Sequence, residues 1–113
     1  MSQITTHVLD TARGVPADGI GVALSYRRSD GWATIAAGTT DGNGRVSNLC
    51  DRRTPLASGT YLLHFDTAEY FKRTGEAVFY PWAEVAFNIA SDGQHYHIPL
   101  LLSPHGYSTY RGS

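Results

Sequence analysis

Ile20-Gly21-Val22-Ala23-Leu24-Ser25-Tyr26 alternates large apolar with small residues, without interruption. A period of two puts Ile20, Val22, Leu24 and Tyr26 on one face of an extended strand and Gly21, Ala23 and Ser25 on the other. Ser29-Asp30-Gly31 supplies a turn, and Trp32 to Ala37 resumes strand character, so the unit reads as a hairpin. The same period recurs on both sides. Ile4, Thr6 and Val8 alternate with Thr5, His7 and Leu9, and Thr11-Ala12-Arg13-Gly14-Val15-Pro16 is turn chemistry. A Gly/Asp/Asn loop over 39–44 leads into a short strand, Arg45 to Asn48. Thr60 to Phe65 is a further strand, and Val85, Phe87 and Ile89 mark another, stopped by Ser91-Asp92-Gly93. The last pair runs over Gln94 to Leu102 and Tyr107 to Arg111. Between them Ser103-Pro104-His105-Gly106 has proline second and glycine fourth, the type I preference.

One segment departs from this period. Asp66 to Gly75 reads as a short helix, with Asp66 and Glu69 as a capping box, Lys72 and Arg73 in the last turn, and Gly75 as the left-handed stop. Seven or eight short strands with one helical turn specify an all-β sandwich. Pro99 is awkward within its strand because it removes a ladder donor. It implies an edge, a bulge, or an interruption of the ladder beside a cavity.

A chain of 113 residues is one domain, 1–113, and buries roughly 65% of its unfolded surface. The formal net charge of −1 argues against a nucleic-acid partner. The pairs Arg27-Arg28 and Arg52-Arg53 read as solvated charges. Cys50 stands alone, so no internal disulfide forms and it reads as a small packing residue. No signal-peptide pattern follows Met1-Ser2-Gln3, and no apolar run approaches a membrane span. The expectation is a cytoplasmic protein with no membrane partner.

The candidate chemistry lies in the histidines. His7 lies opposite the apolar side of its strand and so points away from the interior. His95 and His97, two apart, project from one face of theirs. Arg45 opens a strand straight after a glycine-rich loop, a common setting for a functional cation. A tight hairpin before Tyr110-Arg111-Gly112-Ser113 folds these residues back beside the histidines, which makes them candidates for the same site. The His-x-His pair with His7 can bind zinc, but no carboxylate or thiol pattern supports a metal. His105 reads as a turn residue, and His64 has no obvious partner. Taken alone, these residues say only that outward-facing histidines decorate a β-sandwich.

Three stretches together carry a resemblance. They are Thr6-His7-Val8-Leu9-Asp10-Thr11 with Gly14, Pro16-Ala17 and Gly19; Gly44-Arg45; and His95-Tyr96-His97-Ile98-Pro99-Leu100-Leu101-Leu102-Ser103-Pro104 followed by Gly106-Tyr107-Ser108-Thr109-Tyr110-Arg111-Gly112-Ser113. The chain resembles the transthyretin-related proteins from near residue 4 onward, and within them the branch that hydrolyses 5-hydroxyisourate. The terminal tetrapeptide separates that branch from the hormone carriers. The loop Asp41-Gly42-Asn43-Gly44 departs from the family's usual Asp-Gly before the arginine, which puts only loop geometry in question.

The resemblance implies two four-stranded sheets with one short helix, a homotetramer built as a dimer of dimers, and sites in the channel between dimers. It implies catalytic roles for His7, Arg45, His97 and Ser113, substrate contacts from His7, Arg45, Tyr110 and Arg111, a lesser role for His95, and no cofactor. The implied reaction is hydrolysis of a cyclic amide of 5-hydroxyisourate, with a histidine as base and Arg45 at the oxyanion. Two other readings remain open: a carrier of small aromatic ligands, and an immunoglobulin-like interaction module.

Overall fold

The apolar period of two organises a sandwich of two sheets. The computed structural model describes residues 3–47, 49–50 and 55–112. In chain order the elements are β1 (Ile4–Asp10), β2 (Val15–Pro16), β3 (Gly21–Arg28), β4 (Gly31–Thr39), β5 (Arg45–Val46), β6 (Gly59–Asp66), α1 (Thr67–Arg73), β7 (Ala83–Ile89), β8 (Tyr96–Ser103) and β9 (Gly106–Thr109). One sheet has the order β4-β3-β6-β7. The other runs β2-β1-β8-β9, with β5 also pairing β1. Both expected sheets form, and the short β5 makes the second one five-stranded.

The inward faces are those the alternation names. Ile4 and Val8 of β1, Val22 and Leu24 of β3, Leu63 and Phe65 of β6, and Ile98, Leu100 and Leu102 of β8 are buried between the sheets. Ser25 of β3 is buried as well, beside an irregularity at which β4 carries Ile35 as an extra residue between the pairs Leu24↔Ala36 and Ser25↔Thr34. Its hydroxyl lies 3.3 Å from that of Thr34. Cys50 is buried in the same core. Arg27 and Arg28 lie on the exposed end of β3, whereas Arg52 and Arg53 lie outside the described residues.

The helix forms where the sequence places it but starts differently. Asp66 is the N-cap residue, yet its side chain makes no capping hydrogen bond, so the Asp66–Glu69 capping box is absent. The segment before β7 takes over. The Pro81 carbonyl accepts from Ala68 N–H at 3.0 Å, and the Tyr80 carbonyl accepts from the Thr67 hydroxyl at 3.0 Å. At the other end Glu76 N–H donates to the Phe71 carbonyl and Gly75 N–H to the Lys72 carbonyl. With Gly75 at φ 79°, this is the Schellman stop that the sequence predicts.

Tyr70 and Phe71 of α1 pack into the core. The Tyr70 hydroxyl donates to Asp10 Oδ2 at 2.7 Å, and Asp10 Oδ1 accepts from Arg13 N–H at 3.0 Å. Burial, reinforced by the Asp10 carboxylate, pushes the Tyr70 phenol up to about 12, so it remains a donor. The helix is thereby tied to the end of β1.

The chain from Thr11 to Gly14 turns as expected, but Val15 and Pro16 pair back onto Asp10 and Leu9 as β2. The strand begun by Arg45 is shorter than expected and ends at Val46, while Asn48 lies outside the described residues. The strand expected over Tyr107 to Arg111 stops at Thr109. The reason is Pro99. Extending the register from Leu100↔Thr109 brings Tyr110 opposite Pro99, which has no N–H to give. Pairing resumes only at the His97↔Gly112 bridge. Pro99 is therefore an interruption inside a central strand.

Replacing Tyr70 with Phe leaves Asp10, which is 3% exposed, without one of its two hydrogen bonds. The expected loss is about 1–3 kcal/mol of unfolding free energy. Urea denaturation at neutral pH measures it.

Candidate functional site

The outer face of the β1–β8 pair carries the polar residues that the alternation turns away from the core. Parallel pairing sets Thr5 opposite His97 and His7 opposite Pro99, and antiparallel pairing sets His7 opposite Arg45. His7, Arg45 and His97 thus come from the first strand, a two-residue strand and the penultimate strand to one surface. His7 and His97 are half-buried and Arg45 is exposed.

The loop before Arg45 is built to present it. Asp41 Oδ1 accepts from Asn43 N–H at 2.9 Å and from Arg45 N–H at 3.0 Å. The same residue's backbone is bonded to Gly44 and Arg45. These N–H groups hold the Asp41 carboxyl below the usual carboxylate range, with the charges of Arg45 and His7 adding to the effect. Gly44 sits at φ 75°, and a Cβ there would lie 2.4 Å from the Val8 carbonyl oxygen. Only glycine fits. The departure from the usual Asp-Gly spacing is accommodated by this Asx-type turn.

His97 is the most constrained of the imidazoles. Its Nδ1 lies 2.8 Å from Thr5 Oγ1, and His95 Nε2 lies 2.8 Å from the same oxygen. The two rings stack with centroids 6.3 Å apart. The chain returns along its other side, where Gly112 N–H donates to the His97 carbonyl at 2.8 Å. A Cβ on Gly112 would lie 2.5 Å from His97 Cδ2, so the backbone lies flat against the ring. Burial pushes the His97 pKa below its ordinary value, and the positive charge of Arg45 followed by that of His95 and His7 pushes it the same way. A hydrogen bond with the Thr5 backbone offsets this in part. The ring is therefore neutral at neutral pH and able to accept a proton.

Other expected residues lie apart from this group. The Arg111 guanidinium sits over the Tyr96 ring at 4.5 Å and donates to Gln94 Oε1 at 3.3 Å. Tyr110 is 56% exposed. Both line a cavity of about 200 Å³ with Val85, Phe87, Tyr96 and Ile98, at the edge between β7 and the segment after β9. That cavity includes none of the three histidines or Arg45. The chain reaches His97 at Gly112, and Ser113 lies outside the described residues. His64, for which the sequence offers no partner, is bonded through Nδ1 to Glu84 Oε2 at 2.9 Å and stacks on Trp82. His105 lies in the β8–β9 turn, edge-on to Phe79. Among the described residues no three His, Cys, Asp or Glu side chains are placed to share a metal ion. His95 and His97 both turn to Thr5 instead.

Thr5 is the site residue that sequence reasoning passed over. Thr5 shares its strand face with His7, a usable signal, but its link to both other histidines appears only with the β1–β8 register.

A family model described as the HIUase/Transthyretin family matches residues 4–112. The chain belongs to that family. A Mus musculus relative named 5-hydroxyisourate hydrolase is 46% identical over 116 residues, covering 99% of this chain and 96% of the relative. Among family structures, transthyretin from Sparus aurata superposes with a TM-score of 0.91 at 34% identity, over 99% of this chain and 97% of that one. A Klebsiella pneumoniae 5-hydroxyisourate hydrolase structure superposes with a TM-score of 0.83 at 37% identity, covering 97% of this chain and 98% of its own. The family thus holds both a transthyretin and a 5-hydroxyisourate hydrolase on one backbone, so the choice between them rests on side chains.

Replacing Arg45 with Gln removes one of the charges that disfavour His97 protonation. The His97 titration midpoint, followed by NMR of its ring protons, is expected to rise toward about 6.5 but to stay below it, because burial persists.

Proposed function

We propose that the protein hydrolyses 5-hydroxyisourate as a step of urate degradation. Water opens a cyclic amide of the bicycle to give 2-oxo-4-hydroxy-4-carboxy-5-ureidoimidazoline. The observation that carries this reading is the outer-face cluster itself, a half-buried neutral imidazole with a second imidazole and an exposed guanidinium beside it. The hydrolase name of the mouse relative at 46% identity supports it.

In this mechanism neutral His97 takes the proton of the attacking water, and His7 orients that water. Arg45 binds the carbonyl oxygen and offsets its negative charge as the tetrahedral intermediate forms. Burial lowers the basicity of His97 but secures its free-base form, which a base working near neutral pH needs. The parts assigned to Ser113, in holding the water, and to Tyr110 and Arg111, in holding the ring, rest on the resemblance of the last four residues alone. The mechanism calls on no cofactor.

The proposal includes a homotetramer built as a dimer of dimers. On a single chain the imidazole-bearing face is open, and β7 and β9 each end a sheet, with edges that a second copy can pair. Sedimentation velocity tests this part separately.

The second reading, a carrier of small aromatic ligands, is favoured by the higher TM-score with transthyretin. Backbone likeness carries no chemistry, however, whereas the imidazole–guanidinium cluster does. Ultraviolet absorbance of freshly prepared 5-hydroxyisourate separates the two. The enzyme speeds its decay; a carrier binds it without doing so.

His97→Asn is expected to lower turnover at least roughly a hundredfold with the circular dichroism unchanged. A near-native rate would remove His97 from the mechanism. In the wild type the acid limb of kcat/KM is expected to have its midpoint below about 6.5, following the depressed His97 pKa.

A further inference from the structure

Thr5 Oγ1 stands 2.8 Å from a ring nitrogen of His95 and 2.8 Å from a ring nitrogen of His97. A hydroxyl carries one proton, so it can donate to only one of them, and the other nitrogen must bring its own. The oxygen also has two lone pairs, so three neutral arrangements satisfy both contacts. In the first, Thr5 donates to His95 Nε2, and His97 donates its Nδ1 proton to Thr5. The Nε2 of His97 is then bare. In the second, Thr5 donates to His97 Nδ1, and His95 Nε2–H donates to Thr5. The Nε2 of His97 then carries the proton. In the third, both rings donate to Thr5, whose own proton turns elsewhere, and the Nε2 of His97 is again bare.

The first and third leave His97 a lone pair at the end of the ring away from Thr5, and of these only the first gives the Thr5 proton an acceptor within the group. Thr5 engages the Nδ1 end of the ring, so Nε2 is the nitrogen turned away from it toward water. A base acting there needs its proton at Nδ1, and that proton needs an acceptor. Thr5 Oγ1 is the acceptor at hand, and giving its own proton to His95 keeps a lone pair turned to His97. We propose that Thr5 and His95 are positioning residues that hold His97 in the Nδ1-protonated tautomer, through the ordered chain His97 Nδ1–H to Thr5 Oγ1–H to His95 Nε2.

This deepens the hydrolase reading and rests on it, because the tautomer matters only if His97 is a base. The arrangement does what a third group does in any base–orienter pair, with a neutral hydroxyl and a second imidazole in place of a carboxylate. When His97 takes a proton at Nε2, its Nδ1–H bond to Thr5 becomes charge-assisted, and Thr5 passes the polarisation to His95.

The test has two readouts. Nitrogen-15 NMR of the substrate-free protein at pH 8 reports which nitrogen of each ring is protonated. The expected result is Nδ1 for both His95 and His97; wild-type protein with either ring protonated at Nε2 overturns the proposal. In turnover of 5-hydroxyisourate, Thr5→Val is expected to lower kcat roughly ten- to a hundredfold with KM unchanged, within the range of general base catalysis. Thr5→Ser keeps the hydroxyl and is expected to restore the rate. Full activity in Thr5→Val overturns the proposal. His95→Phe removes the acceptor that draws the Thr5 proton away from His97 Nδ1, which favours the unproductive tautomer. The Thr5→Val/His95→Phe double variant is therefore expected to be faster than His95→Phe alone, whereas residues that merely shape the site give losses that add. If Thr5→Val does not fold, His95→Phe and Thr5→Ser decide through the NMR readout. Wild-type protein that fails to hydrolyse 5-hydroxyisourate defeats the hydrolase reading and leaves the tautomer assignment to the NMR result.

Discussion

The in-register parallel pairing of β1 with β8 is the constraint from which the site follows. It sets residues 92 positions apart side by side, Thr5 against His97. Its register is held from the other face. Ile4, Val8, Ile98, Leu100 and Leu102 are buried there at 0 to 4% exposure. Each such side chain contributes about 1.5–3 kcal/mol on burial. A slip of one residue would turn these out and drive the imidazoles inward. The placement of the polar face is thus enforced by hydrophobic burial on the side that does no chemistry. Thr6 adds a polar lock, its hydroxyl donating to the Ile98 carbonyl at 2.6 Å.

Two histidines on the same molecule show how surroundings assign roles to one residue type. His64, on β6, faces Glu84 across a strand pair and is bonded to that carboxylate at 2.9 Å. His97 has a hydroxyl as its partner, a guanidinium and two imidazoles as its charged neighbours, and partial burial. Desolvation and the charge of Arg45 favour the neutral ring at His97. The second environment suits a base, and it is the one the outer face of β1 and β8 provides.

Pro99 and Gly112 act together on the chain's return. Pro99 denies the next strand a donor, so β9 ends at Thr109 and the segment beyond is released from the ladder. Gly112 then re-engages His97 at a distance that no side chain permits. The interruption leaves Tyr110 and Arg111 at the β7 edge and brings the backbone against the imidazole two residues later. This division explains why residues adjacent in sequence serve different surfaces.

Most of the architecture was readable from the residues. Alternation located each long strand, and Gly75 located the end of the helix. The outward aim of His7 followed from the apolar side of its own strand. The capping box was misjudged because a helix start can be satisfied by any nearby acceptor, and the carbonyls of Tyr80 and Pro81 supply it from across a loop. The Thr5 link, the His64–Glu84 pair and the position of Arg111 were invisible for a related reason. Local period and turn chemistry arise from neighbouring residues, so a linear chain displays which face of each strand is buried. Which strands then lie beside one another depends on closing loops of tens of residues around a shared core, and no local pattern encodes that choice. The chain's own order of amino acids therefore settled the sandwich and the outward histidines, while folding in three dimensions settled which imidazole is buried, which hydroxyl holds it and which cation stands next to it.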